Sequence, residues 1–182
     1  MKYVITGRPG VGKSTLFNTI VDTLKKHGFT VGGIIAPEVR EGTLRTGFMI
    51  VDIATGEKTW LARRDYPSTV KVGAYGVLVD EADRIVVKAL EKAIQEASVI
   101  AVDEVGPMEL KLPSFKPYLL KALDSNKPVI LVVHYRLNDE EILSRLRDAE
   151  RIVVTIENRE KLRREIPLKI IRALAGSESR SA

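Results

Sequence analysis

Lys2-Tyr3-Val4-Ile5-Thr6-Gly7-Arg8-Pro9-Gly10-Val11-Gly12-Lys13-Ser14-Thr15 decides how this chain is read. Tyr3-Val4-Ile5 predicts a buried strand. Gly7-x-x-x-x-Gly12-Lys13-Ser14 follows it, and then Leu16, Phe17, Ile20, Val21 and Leu24 recur at helical spacing. A strand, a glycine-rich turn and a helix in that order form a phosphate-binding loop. Gly7 and Gly12 permit positive φ and a close approach of backbone to ligand. Arg8, Pro9, Gly10 and Val11 form the body of the loop. Its amides turn inward, and the helix opening near Lys13 aims its positive end at the phosphates. Lys13 is expected on the β- and γ-phosphates and the Ser14 hydroxyl on Mg²⁺. Thr15 is read as a local cap or an α-phosphate contact.

At 182 residues one domain is expected, over 1–176, with 177–182 (Ser-Glu-Ser-Arg-Ser-Ala) as a frayed tail. Hydrophobic content of 45% suits a globular protein, and no apolar run approaches the ~20 residues that span a bilayer. The first strand starts at residue 2, leaving no leader segment, so a cytoplasmic location is expected. The absence of cysteine excludes disulfides, thiolate metal sites and cysteine nucleophiles. Abundant Lys, Arg and Glu with few amides hints at a thermophilic source. A net charge of +5 could attract nucleic acid, but basic residues alternate with acidic ones, as across 159–165, so none is indicated.

After the first helix (14–27), a strand at 30–36 stops at Pro37, and 38–46 reads as a polar turn. Strands at 47–53 and 57–62 flank the Thr55-Gly56 turn, a hairpin rather than a βαβ unit. A basic loop at 63–68, a short strand at 75–79 and an amphipathic helix at 81–97 follow. The chain then alternates strands (98–103, 128–133, 151–155) with helices (114–124, 139–147, 159–175). Continuous apolar runs such as Val129-Ile130-Leu131-Val132-Val133 suit parallel strands buried on both faces. The fold class is therefore α/β: three layers, a mostly parallel central sheet, and an antiparallel insertion around 30–79.

Val99-Ile100-Ala101-Val102-Asp103-Glu104 supplies the second half of a phosphate site. Four apolar residues ending in two carboxylates make a Walker B strand. Asp103 at its end would hold Mg²⁺ and Glu104 would activate the attacking water. Glu109 is open to two readings, a further carboxylate at the site or a helix cap. His134 ends the next strand, where an imidazole can meet the γ-phosphate or the water. Arg40, Arg45, Arg63, Arg64 and Arg136 are candidate charge-stabilising arginines, with Arg40 and Arg45 placed in the catalytic set. Asn158 and Arg159, leaving the last strand, could read and stack on the base, or Asn158 could cap the last helix.

These stretches together resemble the cancer-related, or thermophilic-type, nucleoside-triphosphatase family of small P-loop proteins. The matching pieces are residues 7–15, Gly33-Ile34-Ile35-Ala36-Pro37-Glu38-Val39-Arg40 with Arg45-Thr46-Gly47-Phe48, Val72-Gly73-Ala74-Tyr75, Asp103 to Leu110, His134, and Glu157-Asn158-Arg159. They span nearly the whole chain in order, and Asp-Glu-Val-Gly-Pro-Met-Glu-Leu and Pro-Glu-Val-Arg are far more particular than the phosphate loop. The resemblance implies Mg²⁺-dependent hydrolysis of nucleoside triphosphates, slow turnover, and broad base tolerance. Ala74 departs from the family, which often carries arginine before the tyrosine. A nucleotide or polynucleotide kinase is the main competitor, and Asp103-Glu104 favours water over another acceptor. A signalling GTPase lacks its guanine-reading Asn-Lys-x-Asp here, and a nucleic-acid-binding ATPase lacks a basic face. A monomer acting on nucleoside triphosphates is expected.

Overall fold

In the computed structural model, which describes residues 1–178, ten strands form one sheet and five α-helices cover it. β1 (Lys2–Thr6) leads into α1 (Lys13–Lys26), and β2 (Val31–Ile35) follows. The chain next makes β3 (Glu38–Glu41), β4 (Leu44–Asp52), β5 (Lys58–Arg64), β6 (Lys71–Val72) and β7 (Tyr75–Val77). α2 (Val79–Glu96), β8 (Val99–Val105), α3 (Phe115–Asp124), β9 (Val129–Val133), α4 (Glu140–Arg145), β10 (Glu150–Val153) and α5 (Arg159–Glu178) complete it. α5 takes in the first two residues of the expected tail, and 179–182 lie outside the described residues. Among the described residues no helix is long and apolar enough to cross a membrane.

The strand order is β10-β1-β9-β8-β2-β4-β5-β7-β6, with β3 on β4. β10, β1, β9, β8 and β2 run parallel, and the pairs from β2–β4 onward are antiparallel. β2 is thus a core strand on one side and the root of the insertion on the other. The segment read as a polar turn at 38–46 is instead a strand and the start of its partner. Glu38-Val39-Arg40-Glu41 pairs with β4 although it shows no apolar alternation, because backbone hydrogen bonds to one neighbour suffice at an exposed edge. Arg63 and Arg64, read as loop, end β5.

Alternation along the buried strands divides the core in two. Val4, Ile100, Val102, Val129, Leu131 and Val133 face α2 and α3; Tyr3, Ile5, Val99, Ala101, Ile130 and Val132 face α1 and α5. That is why these segments are apolar at successive positions rather than at every second one. Every parallel strand ends at the same edge of the sheet. Ile5, Val132, Asp103 and Ile35 stand in one row across β1, β9, β8 and β2. The loops that follow these strands are consequently neighbours, and the site lies among them.

Gly33 shows how tightly β2 meets β8. Its φ is +129°, and a Cβ there would stand 1.9 Å from the Ala101 carbonyl oxygen. Backbone offers no rotamer to relieve that clash. Gly33→Ala should cost about 3 kcal/mol or more, read as a lowered urea midpoint. An unchanged midpoint would contradict this packing.

Candidate active site

The loop at residues 7–12 wraps the start of α1, whose Ncap is Gly12 at φ +105° with no side-chain cap. The first-turn hydrogen bond runs from Leu16 N–H to the Gly12 carbonyl, so the amides before Leu16 lack helical acceptors. They open onto a cavity of about 710 Å³ bordered by Gly10, Gly12, Lys13, Ser14 and Thr15. Lys13 Nζ donates to the Arg8 carbonyl at 3.1 Å, spanning the loop. The root of the loop is fixed by β10: Val154 N–H donates to the Thr6 carbonyl at 2.8 Å.

Facing the loop across the cavity are Asp103, Glu104, Glu109 and His134. Asp103 is 8% exposed, and the Ser14 hydroxyl donates to its carboxylate. Burial pushes Asp103 up to about 6, with Glu104 adding to the rise while Ser14 and Lys13 oppose it. Burial also raises Glu104, against the pull of Lys13. Beyond Glu104 the register slips between Asp103 and Val105, so the strand turns away from regular pairing at the carboxylates.

Glu109 is 6% exposed at the start of a single 3₁₀ turn (Glu109–Lys111). It accepts from its own amide and from the Gly106 amide, and burial with Glu104 and Asp103 nearby lifts it to about 8. A Cβ on Gly106 would lie 2.8 Å from Glu104 Oε1 and 3.0 Å from Glu109 Oε2, so the two carboxyl groups flank that glycine. Glu109 therefore lines the cavity as a further carboxyl group, whereas the helix after Pro113, α3, has Ser114 and not Glu109 at its N-cap.

β9 lies between β1 and β8, which puts His134 between the phosphate loop and the carboxylates. Its Nδ1 accepts from the Arg136 amide at 3.2 Å. Burial, then Lys13 and Arg136, lower its pKa, so the neutral ring carries its proton on Nε2 at neutral pH. The ring is a hydrogen-bond donor toward whatever it faces.

The arginines separate. Arg45 lines the cavity, with Nε 2.5 Å from Glu38 Oε2. Arg40 is exposed, pairs with Glu38 and donates to the Thr43 carbonyl at 3.0 Å. Arg63 lies over Trp60, Arg64 over Tyr75 and Arg136 over Tyr135, with carbons 4.9, 5.5 and 5.0 Å from the ring centroids. Asn158 spends its amide on its own loop: Oδ1 accepts from Thr155 N–H at 2.8 Å and Nδ2 donates to the Val153 carbonyl at 2.9 Å. Both bonds run back into the loop before α5 rather than into its first turn, so the side chain ties that loop instead of capping the helix. The Arg159 stem runs past Gly12, 3.7 Å from where a Cβ would sit.

A second cavity, about 540 Å³, opens on the other side of the phosphate loop. Thr6, Gly7, Arg8, Val11, Tyr135, and 153–157 line it, and Tyr135 and Ile156 are 44% and 64% exposed. This cavity borders the Asn158-Arg159 stretch, and Tyr135 and Ile156 give it its most open apolar surface. Tyr135 was visible as an aromatic next to a basic residue at a strand end. Asn18, also on the first cavity, was detectable as the residue one turn after Ser14.

Glu109 carries a pH signature. Between its ordinary 4.5 and about 8, folded protein holds a proton that the unfolded chain releases, so stability falls as pH rises through that window. Urea unfolding of metal-free protein should lose a few kcal/mol between about pH 5 and about pH 9. Glu109→Gln should remove the larger part of that loss. An unaltered slope in the variant would contradict the buried, protonated carboxyl.

Comparison with known proteins agrees with this geometry. A family model described as NTPase matches residues 2–167. Nucleoside-triphosphatase THEP1 of Ignicoccus hospitalis is 45% identical over 161 residues, 88% of this chain and 91% of the relative. The protein of the same name from Saccharolobus solfataricus is 41% identical over 174 residues, 96% and 95% of the two chains. THEP1 from the hyperthermophile Aquifex aeolicus superposes with TM-score 0.78 at 32% identity, covering 91% of this chain and 96% of that one. A human cancer-related nucleoside triphosphatase gives TM-score 0.78 at 29% identity, covering 93% and 96%. A phosphate loop facing two strand-end carboxylates, on a fold shared along nearly its whole length, makes this chain a member of the nucleoside-triphosphatase family and an enzyme of that activity.

Proposed function

We propose that the enzyme hydrolyses nucleoside 5′-triphosphates to diphosphate and phosphate, with Mg²⁺ and with little preference for the base. The observation that carries this reading is Glu104, half-buried at the end of β8 and facing Lys13 across the cavity. The amides of the first turn of α1 and Lys13 would grip the β- and γ-phosphates. Ser14 and Asp103 would hold Mg²⁺. The pair suits it, because both donors are oxygen, Asp103 is buried without a cation tied to it, and Mg²⁺ accepts few protein ligands. The ion would neutralise charge on the bridging phosphate oxygens. Glu104, its pKa raised by burial against the opposing pull of Lys13, would take a proton from water aligned on the γ-phosphorus. The Nε2–H of His134 would donate to the γ-phosphate or that water.

Two features support weak base discrimination and slow turnover. The open cavity beside Tyr135 and Ile156 offers ring and aliphatic faces, which every base satisfies, while Asn158 is spent on its own loop. Among the residues lining the larger cavity, Arg45 is already paired with Glu38, so Lys13 would carry most of the charge compensation.

Phosphate release from ATP, GTP, CTP and UTP with and without Mg²⁺ tests the whole reading. Glu104→Gln should lower kcat about 10³-fold and leave nucleotide binding in place. Full activity in that variant would remove Glu104 from its role. Tyr135→Ala should raise KM for all four nucleotides by a similar factor, roughly tenfold, because stacking is blind to base identity. A change confined to one nucleotide would contradict the stacking site.

A further inference from the structure

The larger cavity has a half that hydrolysis does not use. Past the carboxylates it is walled by Ile35, Ala36, Phe48, Val72 and Met108. A phosphate chain gains nothing from apolar walls, and the base has the separate cavity beside Tyr135 and Ile156. A volume of about 710 Å³ is that of a pocket built for a whole organic ligand rather than for phosphates and one water. We propose that this apolar half is a second-substrate site that takes a neutral nucleoside and presents its hydroxyl to the γ-phosphorus, making the enzyme a phosphotransferase as well as a hydrolase. The proposal rests on the reading above for the phosphate half of the cavity.

Three observations select that ligand. The walls are preformed: Ala36 N–H donates to the Asp103 carbonyl at 2.7 Å and Met49 N–H to the Pro37 carbonyl at 3.0 Å, fixing the insertion to the carboxylate strand. Phe48 is held by the Tyr75 ring, centroids 5.4 Å apart at 72°, and carries the Arg45 guanidinium 5.5 Å from its centroid, so this side of the cavity is a fixed wall of planar groups on which a planar body can pack. Charge excludes an anionic acceptor. Asp103 and Glu104 lie on one side, and the cation opposite, Arg45, is paired with Glu38. A base with an uncharged ribose satisfies all three.

The step balances without a further reactant. Glu104 takes the proton of the nucleoside hydroxyl, whose oxygen forms a bond to the γ-phosphorus. The bond from that phosphorus to the β–γ bridging oxygen breaks, and the nucleoside diphosphate leaves with the bonding pair. Water and nucleoside compete for one base and one phosphorus.

The test uses the full chain with Mg²⁺, γ-³²P-ATP and adenosine, guanosine, cytidine or thymidine, with chromatographic separation of products. Label should appear in a nucleoside monophosphate as well as in inorganic phosphate. Phe48→Ala and, independently, Val72→Phe should each cut the labelled monophosphate about tenfold while phosphate release without nucleoside stays within about twofold. Label in inorganic phosphate alone, at every nucleoside concentration, overturns the proposal and leaves hydrolysis standing. Label in neither product overturns both. Equal transfer to 5′-mononucleotides overturns the selection by charge.

Discussion

The Ser14 hydroxyl donates to the Asp103 carboxylate, and this contact joins the first turn of α1 to the end of β8 across the intervening β9. A carboxylate that is 8% exposed is costly unless something compensates its charge. Here one hydroxyl and the nearby Lys13 offset only part of the cost, as the upward shift to about 6 records. The fold therefore holds a buried negative group at the place where phosphates and their cation would arrive. The remaining parts of the site take their positions from that arrangement: Glu104 one residue on, Glu109 folded back beneath it, and His134 at the tip of the strand between.

The sheet makes this possible because its five parallel strands end at one edge, and their loops supply a different part each. β1 gives the phosphate loop, β8 the carboxylates, β9 the imidazole, and β10 the rim of the second cavity. β2 turns into the antiparallel insertion, which adds a wall instead of a helix. The insertion walls the larger cavity, and the loop at residues 7–12 separates that cavity from a second one of different character. One combines fixed donors and carboxylates with apolar sides, and the other is a shallow face of Tyr135 and Ile156.

Much of this was legible in the sequence, for physical reasons that differ by element. The phosphate loop and the Asp103-Glu104 pair were readable because backbone geometry and charge restrict the residues that can stand there. The doubly buried strands were readable from unbroken apolar runs. Their order was not, because such a run says that both faces are covered and nothing about which strand lies beside it; the insertion of β9 between β1 and β8 is a tertiary choice. β3 was missed because Glu38-Val39-Arg40-Glu41 has no apolar alternation, and its pairing with β4 rests on backbone bonds and on the Glu38–Arg45 ion pair. Arg40 and Arg45 looked equivalent, and they are direct partners across the β3–β4 hairpin that share Glu38, yet only Arg45 lines the cavity. Asn158 was ambiguous because loop and base hydrogen bonds use the same atoms. The loop took them.

The central claim is a division of labour: phosphates on residues 7–15, base against Tyr135 and Ile156, and the apolar half of the larger cavity reserved for something else. A crystal structure with Mg²⁺ and a triphosphate carrying a non-hydrolysable β–γ bridge tests it most directly. The account predicts the metal at Ser14 and Asp103, the γ-phosphate between Lys13 and Glu104, and the base beside Tyr135. A base lodged instead against Phe48 and Val72 would contradict it.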